Sequence, residues 1–249
     1  RHRRTRISEK VICSESTAAR QTSRSRRSSE VPRKIREERP LVYVFSEGES
    51  EQAYVDFLKE HFEEKVRIMR PKGTGLFDEA WDKFRKDKKY KDALEVIDEI
   101  WFFYDVEKED VPKWENRLDI IRRLRRLRKN PNIRVRLLMT TACVEYWLLL
   151  HYQYVKPAMV TPADKDRMFD RVKSLAQDYE KGDPVSTKKI AGNYMTAILN
   201  GEKVLNSLRS DGIPTLEDTD ERNAWLSKCG LTFTTVHEVV KWLEERRNG

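Results

Sequence analysis

The sequence is short of several things, and each shortage closes off a class of protein. No apolar run reaches the roughly 20 residues of a membrane helix; the most apolar stretch, Leu137–Leu150, is interrupted by Glu145. The first residues are basic but lack the apolar segment of a secretory leader. The chain opens on Arg rather than Met, as a trimmed product would. Cys13, Cys143 and Cys229 lie far apart, with no Cys-x-x-Cys spacing. Neither a disulfide framework nor a zinc site is expected from them, and a reducing, cytoplasmic setting is. No segment repeats at a fixed period.

Most of the chain also lacks net charge. The total is +8, but residues 1–40 hold 13 Lys and Arg against 5 Asp and Glu, which accounts for all of it. Residues 41–249 are neutral, so a general affinity of the body for nucleic acid cannot rest on the basic balance. The first 40 residues are Arg- and Ser-rich with almost no aromatic or periodic apolar content. Such a segment buries too little apolar surface to offset its ordering entropy, so a disordered basic arm is expected. Its arginines could solubilise the chain or contact phosphates.

From Leu41 the pattern changes. Leu41-Val42-Tyr43-Val44-Phe45 is a short apolar run of the kind found in strands buried on both faces. A helix is predicted from about Ser50, with Tyr54, Phe57, Leu58 and Phe62 on one face. A second strand is read at Val66–Met69, a turn at Gly73-Thr74-Gly75, and a helical pattern from Leu76 to Phe84. Arg85–Lys91 reads as a basic connector. Ile100-Trp101-Phe102-Phe103-Tyr104 predicts a third strand, Trp114–Lys129 a basic helix, and Ile133–Met139 a fourth strand before a helix near Cys143. Strand–helix alternation of this kind gives right-handed βαβ units and a parallel sheet covered by helices. Beyond about Lys156 the signal is helical, at Met168–Tyr179, Ala191–Leu208 and Val236–Arg246. Three parts are therefore expected: the arm 1–40, an α/β domain 41–155 and a helical extension 156–249 packed on it.

Ligands of parallel sheets bind beyond the carboxyl ends of the strands. There the sequence places acids: Glu47-Gly48 after the first strand, Asp105 and Glu107 after the third. Glycine after Glu47 lets the backbone turn tightly. Asp105 and Glu107, two apart in extended chain, can aim at one point. Carboxylates converging without compensation raise one another's pKa. A hard divalent cation removes that conflict and suits phosphodiester chemistry. Helix capping or plain solvation would equally explain acids at these positions, and the neighbouring Glu49, Glu51, Glu109 and Asp110 show how charged both loops are. Glu145 opens the helix after strand four, where it either joins the acids or favours the helix dipole. His151 and Trp147 read as packing residues. Arg122, Arg125 and Arg126 on the basic helix are candidate phosphate contacts, although such runs are commonly solvated faces.

Three stretches carry a resemblance. Val44-Phe45-Ser46-Glu47-Gly48-Glu49-Ser50-Glu51 and Trp101-Phe102-Phe103-Tyr104-Asp105-Val106-Glu107 resemble the Glu-Gly and Asp-x-Asp elements of Toprim domains in topoisomerases, primases and OLD-type nucleases. The third, Cys143-Val144-Glu145-Tyr146-Trp147-Leu148-Leu149-Leu150-His151-Tyr152, is similar to the Phe-Glu-x-Trp-Leu-Leu-Leu-His signature of the RloB-like family and its AbiLii relatives. An Asn-x-x-x-Ala-Ile-like element at Asn193–Ile198 also matches, and the resemblance spans roughly 35–245.

The resemblance implies a Toprim-like fold and a metal-dependent nuclease, or nuclease-like effector, of bacterial anti-phage defence that ends in abortive infection. It would act on DNA or RNA beside a partner ATPase. Glu47, Asp105 and Glu107 would hold Mg²⁺ or Mn²⁺, with Glu145 supporting. Two departures stand out: Glu107 replaces the usual Asp, and Thr140-Thr141-Ala142 replaces a Ser-Asn-Pro element. Both leave open an alternative, a non-catalytic nucleic-acid-binding or sensor subunit of a defence complex.

Overall fold

The computed structural model describes residues 39–73, 75–159 and 161–249. The expected arm therefore lies almost wholly outside the described residues, as does Thr74 of the glycine turn. The sheet has four strands, β1 (Leu41–Ser46), β2 (Arg67–Met69), β3 (Ile97–Val106) and β4 (Arg134–Thr141), in the order β2-β1-β3-β4. Every pairing is parallel, as the alternation of strands and helices predicts. β1 is buried along its whole length and β3 over Glu99–Tyr104, so continuous apolar runs, rather than alternation, mark these central strands.

Helices α1 (Glu49–His61), α2 (Phe77–Lys86), α3 (Lys88–Ala93) and α4 (Trp114–Arg125) connect the strands, and α5 (Val144–Leu149) follows β4. The basic stretch read as a connector contains α3. Asp87 caps it by accepting the Lys89 N–H at 2.9 Å, and Tyr90 is its buried anchor. A 3-10 turn, Lys108–Lys113, precedes α4, which ends four residues earlier than the periodicity of Leu118, Ile121, Leu124 and Leu127 predicts.

Five further helices complete the chain: α6 (Pro162–Leu175), α7 (Pro184–Ala191), α8 (Tyr194–Ser207), α9 (Asp220–Leu226) and α10 (Val236–Asn248). α6 starts earlier than its apolar spacing suggests because Thr161 and Asp164 form a reciprocal cap with Pro162 in the first turn. α8 begins at Tyr194, after the Gly192-Asn193 break that separates it from α7. One segment of this half is not helical. Residues 231–235 run antiparallel along the free edge of β4, with Thr141 N–H donating to Phe233 O at 3.1 Å and Thr235 N–H to Met139 O at 2.9 Å. The strap covers an edge that would otherwise invite foreign pairing. The hydrophobic core is continuous from Leu41 to Leu243 and passes residue 155 without interruption.

Away from the strand exits, two buried charge clusters are paired. Arg136 on β4 donates to Glu99 on β3 through Nε and Nη2 at 2.6 and 3.1 Å, and Glu99 also accepts from the Trp101 indole at 2.7 Å. Arg222 has no solvent exposure and meets Asp218 and Glu238.

A candidate metal centre at the topological switch point

The strand order decides where a site can form. From β1 the chain moves outward to β2, then returns to place β3 on the other side of β1. The chain leaving the carboxyl end of β1 goes to β2 on one side and that leaving β3 goes to β4 on the other, so a crevice opens between those two ends. Glu47 follows β1, Asp105 is the penultimate residue of β3, and Glu145 lies in the first turn of α5. They line one cavity of about 360 Å³ together with Glu49, Glu51, Glu107 and Lys181.

Each acid is held differently. Glu47 is exposed at the rim; its carboxylate accepts from the Asp105 backbone, and partial burial followed by the Asp110 charge raises its pKa. Asp105 is half-buried at the end of β3. Its Oδ1 is shut off from solvent and has no hydrogen-bond partner among the described residues. Burial first, then the charges of Glu51, Glu145 and Glu47, raises its pKa well above the usual carboxylate range. Glu145 is 2 % exposed and accepts from the Tyr179 hydroxyl at 3.2 Å, while Lys181 stands 3.9 Å from the same oxygen.

Glu51 is the acid that the sequence reading left among solvated loop charges. It is 4 % exposed, and burial pushes its pKa up to about 7, with Glu145 and Glu47 adding to the rise. It sits at the third position of α1, where a carboxylate reaches back to the Gly48 backbone. Gly48 is needed for this: a Cβ there would lie 2.7 Å from Glu51 Oε2. The available signal was the Gly-x-x-Glu spacing itself, which tucks the carboxylate under the turn.

Glu107 occupies a different position from its sequence partner Asp105. It caps the 3-10 turn and forms an ion pair with Lys165 of α6, with 38 % of its side chain exposed. It lines the acid cavity but also a second cavity beside it. The second cavity is also lined by Ala142, whose φ of 68° is left-handed, a conformation that non-glycine residues rarely adopt. Its N–H donates to Val106 O at 3.1 Å, which fixes the turn from β4 into α5.

The basic residues are not brought to this site. The Arg125 carbonyl accepts from Ile133 just before β4 begins, so the carboxyl end of α4 lies at the opposite edge of the sheet. Arg125 and Arg122 both face Asp220 of α9, at 2.7 and 3.7 Å, and Arg126 is exposed. His151 is buried. Its Nδ1 faces the Trp147 carbonyl at 3.0 Å and its Nε2 the Tyr54 hydroxyl at 3.2 Å, and burial lowers its pKa to about 4. It is a packing residue, in keeping with the sequence reading.

The donor set is all oxygen and strongly anionic, which is the chemistry a hard cation requires. The unpartnered Asp105 oxygen marks where compensation is missing. Among the described residues, however, no three His, Cys, Asp or Glu side chains close on a single point. The acids line the cavity without forming a finished coordination sphere.

A family model described as RloB-like protein matches residues 42–243. The chain belongs to the RloB-like family. The match takes in both acidic strand exits, the α5 signature and all but the end of α10 of this RloB-like chain. No curated protein and no solved structure matches it. Among the described residues of this RloB-like chain, no helix is long and apolar enough to cross a membrane.

Proposed function

We propose that this RloB-like protein is a metal-dependent nuclease with a Toprim-type site, acting on DNA or RNA in bacterial anti-phage defence beside a partner ATPase. One observation carries the reading: a half-buried Asp105 carboxylate whose Oδ1 is closed to solvent and unpartnered among the described residues, surrounded by Glu47, Glu51 and Glu145 where the strand order opens a crevice. Keeping uncompensated carboxylates together costs stability, and a fold that needed only stability would replace them.

Glu47 and Asp105 would hold Mg²⁺ or Mn²⁺, with Glu51 and Glu145 completing or orienting the set. When bound, the ion would polarise a phosphodiester and lower the pKa of an attacking water. The residues themselves have separable tasks. Gly48 leaves room for Glu51, Tyr179 orients Glu145 by donating to it, and Lys165 neutralises Glu107. Asp105→Asn would remove the central negative charge while preserving shape. Wild-type protein should cleave single- or double-stranded DNA or RNA with Mg²⁺ or Mn²⁺, and Asp105→Asn should not. Equal metal-dependent cleavage by the folded variant would refute the assignment.

The Glu107–Lys165 ion pair favours a second reading, a non-catalytic nucleic-acid-binding or sensor subunit, because it occupies a carboxylate that the Asp-x-acid pattern would give to the metal. Calorimetry separates the two. Mg²⁺ or Mn²⁺ binding that is lost in Asp105→Asn supports the nuclease, and no heat in either protein supports the sensor.

A further inference from the structure

The second cavity, about 390 Å³ in volume, shares Glu107 with the acid cavity. Its character is the opposite of theirs. The interior is apolar, formed by Val106, Met159, Leu226, Leu231 and Phe233, all of them buried or half-buried. Its mouth carries Lys108, Lys165 and Lys228 against Glu107 and Glu109; Lys165 pairs with Glu107, and the exposed Lys228 stands 3.5 Å from the solvent-facing Glu115, a pair loose enough to yield to a phosphate. Ser227 and Thr161 in its wall donate their protons within the protein, to Ala224 O and to Asp164. The Ser227 hydroxyl therefore retains lone pairs for an incoming N–H, and Thr161, whose oxygen also accepts the Asp164 N–H, retains one.

A flat ring with polar edges, joined to a phosphate, matches these features. The volume is in the range of small-molecule sites, which combine an apolar lining with a few placed polar groups. Enzymes that work on nucleic acid place unstacked bases in such pockets, between apolar side chains. We propose that this cavity receives one base of a single-stranded nucleic acid, with the lysine mouth contacting its phosphate, so that the adjoining phosphodiester is directed past Glu107 to the acids. The inference rests on the nuclease reading and names the substrate feature that the same site would grip. It also gives Ala142 a role: the left-handed turn there shapes the wall of the base cavity.

The test needs no turnover. Full-length protein in EDTA is titrated with a single-stranded oligonucleotide carrying one 2-aminopurine, in DNA and RNA versions. A saturable fluorescence change is expected in at least one version. An otherwise identical strand with an abasic residue at that position should compete at least tenfold less well than the unlabelled intact strand. Lys228→Glu reverses a mouth charge, and Val111→Trp fills the cavity from its exposed wall; each should weaken binding at least tenfold. Far-UV circular dichroism and the urea midpoint establish that each variant is folded, and Lys228→Glu decides alone if Val111→Trp is not. Equal competition by the abasic strand, or wild-type affinity in folded Lys228→Glu, would overturn the proposal. So would displacement by adenosine monophosphate at the concentration at which the strand itself competes, which would assign the pocket to a free nucleotide. Failure of the nuclease reading looks different: no Mg²⁺- or Mn²⁺-dependent cleavage, with base-dependent binding in EDTA intact.

Discussion

Replacing Glu51 with Gln isolates what the buried acids cost the fold. In the folded protein Glu51 holds its proton to about pH 7, whereas an ordinary glutamate releases it near 4.5. That difference corresponds to about 3 kcal/mol of unfolding free energy. Its sign follows from linkage. Between these two pH values the folded chain binds a proton that the unfolded chain has released, so stability falls as pH rises through the window. The loss is complete only above pH 7. Asp105, also raised, adds a fall of the same sign.

Glu51→Gln keeps an oxygen to accept from the Gly48 backbone but cannot ionise. In EDTA at pH 8 it should therefore be more stable than wild type by up to about 3 kcal/mol, and the gap should close by pH 4.5. For a chain of this size that corresponds to roughly 6–12 °C in melting temperature. Urea titrations at half-unit pH intervals from 4.5 to 8.5 measure it directly. Mg²⁺ should recover part of the deficit in wild type and less in the variant. Equal stability of the two proteins at pH 8, or a gap that does not change with pH, would refute the electrostatic account of this cavity.

Four further substitutions, at three positions, probe the same architecture. Gly48→Ala places a Cβ 2.7 Å from Glu51 Oε2; the carboxylate must move, so metal-dependent cleavage should fall at least tenfold while far-UV circular dichroism stays unchanged. At Ala142 the left-handed φ favours glycine, so Ala142→Gly should be neutral or gain up to about 1 kcal/mol, whereas Ala142→Val should lose about 1–3 kcal/mol in urea. Equal stability of these two variants would contradict the strain. Arg222→Met leaves the largely buried Glu238 without its partner and should cost about 3–5 kcal/mol in the same assay, with a loss under 1 kcal/mol arguing against the buried network.

The parts of the fold that were legible in sequence are those where one chain segment decides the outcome. Ile100–Tyr104 is apolar at every position, so it reads as a strand inside a covered sheet, and its parallel pairing followed from the βαβ rule, whereas the strand order did not. Helix ends and short helices were less legible. α3 buries a single residue, Tyr90, and its lysines read as solvent-facing loop. The strap at 231–235 was hidden because its bonds are made with β4, about 94 residues away in sequence, and leave no local period.

The candidate site divides in the same way. Glu47, Asp105 and Glu145 were visible because strand exits are identifiable from local pattern. Glu51 was not, since its burial comes from packing of α1 over the crevice rather than from its own neighbours. The Lys165 partner of Glu107 and the Asp220 partner of Arg125 come from helices 58 and 95 residues away, and no spacing rule reaches that far.

The central claim is that the carboxylates at the β1 and β3 exits share one divalent ion. A crystal soaked in Mn²⁺ and measured for anomalous scattering tests it most directly. The account predicts a peak within ligating distance of Asp105 and at least one of Glu47, Glu51 and Glu145, absent from Asp105→Asn crystals. An acid cavity without a peak, or a peak that persists in the variant, would contradict it.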